Sequence, residues 1–223
     1  MPLIPGKSDT LLELRDELQR RFPTACRESW PRQGRQPPTA AHWLPAGAVT
    51  EWVCEGGSAR ALAGLAAERR AHREAGTIPA GVPMALIDAG DGFDPASQGG
   101  ETCREWLWVR CRCANEALRA ADMLMQDGNL DRVVLDATGL PEIHWKRCPG
   151  SVWHRLHARA RAAGTSLLAL TPAALIPKAA VRYFTTTTPR LTDFSRAPAD
   201  LALLPGRDDG IITHTETATA FSR

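Results

Sequence analysis

Three short segments carry the residues whose types and spacing could do chemistry. The first runs from Cys54 to Ala61 and reads Cys-Glu-Gly-Gly-Ser-Ala-Arg-Ala. Gly56 and Gly57 would let the backbone approach an anion closely, and Ser58 and Arg60 could add a hydroxyl and a cation. The second, residues 87–95, places Asp88, Asp91 and Asp94 around Gly90 and Gly92 and ends on Pro95. The third is Val134-Leu135-Asp136, an apolar run closed by one carboxylate. Such a carboxylate could support a metal, and it could equally be a strand-end or helix-capping group. Gly56, Gly57 and Ser58 could likewise be a tight turn and an N-cap.

A fourth segment differs in kind. Residues 144–163 read HWKRCPGSVWHRLHARARAA and hold Lys146, Arg147, Arg155, Arg159 and Arg161 without one acid. Trp145 and Trp153 are interleaved. Cations neutralise phosphates and indoles stack on bases, the pairing a single-strand nucleic-acid binder needs. Lys178 and Arg182, in residues 172–182, extend the candidate set. The alternative is a solvated helix face bearing Arg155, Arg159 and Arg161, with Trp153 turned inward.

Other chemistries fit less well. His144, Cys148, His154 and His157 do not form a four-ligand pattern at established zinc spacing, so no metal is expected. A Gly-x-Ser-x-Gly elbow is absent, which removes the Ser/His/Asp hydrolase reading. The six cysteines form no Cys-x-x-Cys pair and read as reduced thiols.

The elements that must position these residues follow from pattern. The chain has 223 residues, 43% hydrophobic and 23% charged, which suits a globular core and excludes collagen, a coiled-coil rod and wholesale disorder. No run approaches the length of a membrane span, and MPLIPGKSDT does not read as a secretory leader, so a cytoplasmic protein with no membrane partner is expected. Net charge is +2, carried by 24 Arg and three Lys, a balance that by itself names no polyanionic partner.

Residues 9–22 place Leu11, Leu14, Leu18 and Phe22 on one helical stripe, and Pro23 stops it. We read residues 1–22 as an N-terminal helix that could dock on a partner and residues 23–47 as a Pro-rich linker. Residues 48–190 are the core, and residues 191–223 a polar, mobile tail. Within the core, strands are expected at 48–54, 83–90, 107–111, 132–139, 166–171 and 181–188. Helices are expected at 58–76, 115–128 and 151–164. Strands separated by helices require crossovers, which gives an α/β fold with a mostly parallel, twisted sheet flanked by helices. Ligands of such sheets bind beyond the carboxyl ends of the strands, where all three segments would lie.

In this order, the segments resemble the core of the RecA-like P-loop superfamily over about residues 46–188. The resemblance rests on the Gly-rich loop, Ile87-Asp88-Ala89, Asp94-Pro95, Glu116-Ala117-Leu118 and Val134-Leu135-Asp136. It implies ATP and magnesium at a nucleotide site formed by Gly56, Gly57, Ser58, Arg60 and Asp136, and DNA loops after the strands at 132–139 and 166–171. The departures fall on the machinery. Arg60 stands where the family has its lysine and Ala61 where it has the metal-binding threonine. Gly90 replaces the glutamate that activates water. Cradle, metal ligand and base are all altered, so a pseudo-ATPase without catalytic residues or cofactor is expected.

Within the superfamily the organisation is similar to the ImuA-type accessory proteins of SOS mutagenesis. That resemblance implies a non-catalytic partner of an ImuB-type polymerase-like subunit and of RecA in translesion synthesis, with single-stranded DNA a further candidate partner. SulA-type cell-division inhibitors and a weak RecA-like ATPase are the alternative readings.

Overall fold

The structure, a computed structural model, describes residues 43–76, 83–98, 103–104, 106–185 and 211–214. Its strands are β1 (Val49–Val53), β2 (Met84–Ala89), β3 (Trp106–Cys111), β4 (Arg132–Asp136), β5 (Ser166–Thr171), β6 (Val181–Thr185) and β7 (Ile211–His214). The helices are α1 (Ala59–Glu74), α2 (Pro95–Gln98), α3 (Ala114–Asp127), α4 (Glu142–Lys146) and α5 (Gly150–Ala163). The strands form one sheet in the order β3-β2-β4-β5-β1-β6-β7. The first six in that order pair in parallel, and β7 closes the row antiparallel to β6.

Helices cover both faces, which is why the central strands are apolar runs and not alternating ones. All six residues of β2 are buried, and all six of β5. On one face, Leu62, Leu65 and Ala66 of α1 pack with Trp43 and Leu44 against Trp52, Leu86, Val134 and Leu168. On the other, Ala117, Leu118, Ala121 and Met125 of α3 join Trp153, Leu156 and Ala160 of α5 over Ile87, Leu135 and Leu167.

Local signals set the helix ends. Glu116 in the first turn of α3 accepts the N–H of Arg112, the residue before the N-cap Cys113, at 2.9 Å. Gly128 and Gly164 end α3 and α5 in left-handed conformations, φ 70° and 69°.

Some expectations are corrected. The linker does not extend to residue 47, because Trp43 and Leu44 are core residues at 5% and 1% exposure. Trp43 is tied in twice: its indole N–H donates to Glu68 at 3.1 Å, and its carbonyl accepts the Tyr183 hydroxyl at 2.7 Å. Residues 211–214 form a strand inside the expected tail. The docking stripe of Leu11, Leu14, Leu18 and Phe22 lies outside the described residues, as do residues 23–42. No helix among the described residues is long and apolar enough to cross a membrane.

Candidate functional site

β5 lies between β1 and β4 in the sheet, so the loop leaving β1 reaches across it to meet the end of β4. Ser58 Oγ donates to Asp136 Oδ2 at 2.5 Å. The Thr138 N–H donates to Asp136 Oδ1 at 3.0 Å, and Thr138 Oγ1 lies 2.7 Å from the same oxygen and 3.1 Å from Ser58 Oγ. Asp136 is 3% exposed. Burial pushes its carboxyl above the ordinary range, the nearby Asp88 adds to the rise, and the bonds from Ser58 and Thr138 oppose it. Ser58 therefore departs from its expected N-cap role. It stands at the start of α1, yet its hydroxyl makes no bond to a helix N–H.

Gly56 and Gly57 are exposed and left-handed, φ 84° and 105°, with the Gly57 N–H closing a turn on the Cys54 carbonyl at 3.3 Å. Arg60 is partly buried, and Ala61, at 2% exposure, presents only a methyl group. Burial drives the Cys54 thiol far above its ordinary range, and Asp136 adds to the effect. That sulfur is an inert core atom.

A second feature shapes this edge. Gly90, at φ 102°, and Gly139 press backbone to backbone where β2 and β4 end. A Cβ on Gly90 would lie 2.5 Å from the Gly139 carbonyl oxygen, and one on Gly139 would lie 2.4 Å from that of Ala89. The glycine at residue 90 thus meets a steric requirement of the fold. Asp88, 1% exposed, is occupied beside it. Its carboxylate accepts the N–H groups of Gly92 at 2.9 Å and Phe93 at 3.2 Å, and the Trp108 indole at 3.2 Å. Asp91 pairs with Arg110, and Asp94 accepts the Ala96 N–H at 3.0 Å.

The basic segment is dispersed by the fold. Trp145 is 2% exposed, and its indole N–H donates to the Ala137 carbonyl at 3.0 Å, so it cannot stack on a base. Trp153 is buried in the α3–α5 core at 3%. Arg155 and Arg159 both reach Asp122 of α3, at 3.1 and 3.6 Å. Arg182 is a core ligand: it donates to Glu51 Oε2 at 2.6 Å and to the Ile176 carbonyl at 2.6 Å. Lys146, Arg147 and Lys178 remain exposed, Lys146 beside Glu142 at 2.6 Å. Among the described residues no group of three His, Cys, Asp or Glu side chains could hold a metal ion.

Glu51 is the key residue that the sequence reading passed over. Fully buried on β1, it accepts from Arg182, from Thr171 Oγ1 at 3.2 Å, and from the Leu175 and Ile176 N–H groups at 2.6 and 3.1 Å. It pins the connection between β5 and β6. The available signal was an acid alone in an apolar strand, which burial permits only when it is fully paired.

No family model matches the chain, and no curated protein matches it.

Proposed function

We propose that the chain is a non-catalytic RecA-like accessory protein of bacterial DNA-damage tolerance, similar to the ImuA type and acting through protein contacts in translesion synthesis. Support for the RecA-like part comes from placement: Ile87-Asp88-Ala89 and Asp136 end the neighbouring parallel strands β2 and β4, and the Gly-rich loop leaves β1, parallel to them across β5, at the same carboxyl edge of the sheet.

The non-catalytic part rests on the Gly90–Gly139 contact. A water-activating side chain at residue 90 has no room, since its first carbon would meet a carbonyl oxygen at 2.5 Å. The residues present do not fit a magnesium nucleotide either. Ala61 has no ligating atom, and Asp136 is spent on Ser58 and Thr138 at the mouth where phosphates would sit. With cradle, metal ligand and base all altered, the positioning and charge stabilisation of phosphoryl transfer are missing. The buried Trp145 removes base stacking, which weighs against single-stranded DNA and toward protein partners.

The test is genetic. In a strain lacking this gene, damage-induced mutagenesis is expected to fall and to be restored by the wild-type chain and equally by Arg60→Ala. Undiminished mutagenesis in the deletion strain would refute the proposal. Filamentous growth on overexpression would point to a SulA-type inhibitor instead.

A further inference from the structure

The connections after β4 and β5 leave neighbouring strands at the same sheet edge and pack on the same core, so they form one rim. Helix α4 is held into that rim by the buried Trp145 and its bond to Ala137. Its outward side carries Ile143, 52% exposed and the exposed large hydrophobic of the described residues. Leu140 and Leu175 are partly buried beside the same core and leave some apolar surface open. The same two connections carry Lys146, Arg147 and Lys178, all exposed. Residues 137–152 and 172–180 contain those three cations and one acid, Glu142, which pairs with Lys146 at 2.6 Å.

We propose that this rim is a docking surface for an acidic, aliphatic segment of a partner protein. The inference deepens the accessory-protein reading and rests on it for the partner's being a protein. Charge complementarity selects an acidic segment, because cations at a rim steer an opposite charge and penalise a like one. An aliphatic side chain is selected by Ile143, which offers apolar area but no flat face for a base to stack on. The two tryptophans that could have stacked are both buried. Because α4 is already fixed by Trp145, little ordering of this chain accompanies binding. The patch is small, so the contact belongs to the weak, transient class.

The full chain is panned against a displayed random-peptide library, and enriched peptides are measured by fluorescence anisotropy beside a single-stranded oligo-dT. The expected peptides are net acidic and contain Leu or Ile. Their affinity should fall about tenfold or more with Ile143→Asp, the scale of losing one buried aliphatic side chain. It should also weaken with Arg147→Glu and with added salt. Both substitutions are on exposed residues, and unchanged circular dichroism shows that the variants are folded. The proposal is overturned if no acidic peptide enriches, or if enriched peptides bind Ile143→Asp as well as wild type. It is overturned too if oligo-dT binds, is lost with Arg147→Glu and ignores Ile143→Asp, which would make the rim a nucleic-acid surface. None of these failures touches the reading of a non-catalytic core, which the mutagenesis assay judges separately.

Discussion

Gly90→Ala tests the closed edge quantitatively, with Gly57→Ala as its internal control. Both glycines are left-handed, φ 102° and 105°, so an alanine at either site incurs the same conformational cost, about 1–2 kcal/mol. They differ in their surroundings. A Cβ on Gly57 meets nothing within 4 Å, whereas one on Gly90 lies 2.5 Å from the Gly139 carbonyl oxygen and 2.7 Å from its carbon. Those atoms are backbone and cannot swing aside, so the strand ends must separate, at an overpacking cost of about 1–3 kcal/mol more. Gly90→Ala should therefore lose roughly 3 kcal/mol against roughly 1.5 for Gly57→Ala. In urea unfolding, at about 2 kcal/mol per molar, the gap between the two midpoints is about 0.75 M. Combining Gly90→Ala with Gly139→Ala should cost less than the two single losses together, because one separation relieves both clashes. Equal midpoints for Gly90→Ala and Gly57→Ala would refute the reasoning and reopen residue 90 to a functional side chain.

Three further outcomes follow from the same geometry. Glu51→Ala should lose about 3–5 kcal/mol, because it strands the Arg182 charge and two loop N–H groups; chemical denaturation of Glu51→Ala, and of the same change combined with Arg182→Met, would show the second substitution recovering part of the loss. Trp145→Phe leaves the Ala137 carbonyl without its donor and should cost about 1–3 kcal/mol in the same assay. The Asp136 carboxyl titrates above its unfolded range, so folding takes up protons between the two values, and the group's contribution to stability fades as pH rises through the folded one. Asp136→Asn, which fixes the uncharged form, should thus gain relative to wild type as pH rises from the ordinary carboxylate range upward, read as the difference in unfolding free energy.

The alternation of apolar runs with amphipathic helices made the layered sheet legible, since a strand buried on both faces and a helix buried on one have different periods. Six of the seven strands among the described residues fall where those periods place them, and α3 and α5 end at the left-handed Gly128 and Gly164, the last residues of the expected helices. What escaped was short or distant. Helix α4 is five residues long, too few for a period, and β7 draws its stability from pairing with β6 far back in the chain. The meeting of Ser58 with Asp136 could be anticipated from two strand ends. That the serine would bond the acid and leave the helix uncapped could not, because both uses need the same residue type. The basic run misled for a related reason: composition counts charges, and only packing shows that Asp122 takes Arg155 and Arg159 while Glu51 takes Arg182.

Equilibrium binding of a fluorescent ATP analogue to the full chain, with and without magnesium and alongside phosphate release, tests the central claim most directly. A site whose carboxylate is already bonded to Ser58 and whose ligating hydroxyl is a methyl at Ala61 should show no saturable binding and no hydrolysis. Magnesium-dependent saturation that is lost with Arg60→Ala, or any turnover above the protein-free rate, would contradict the account.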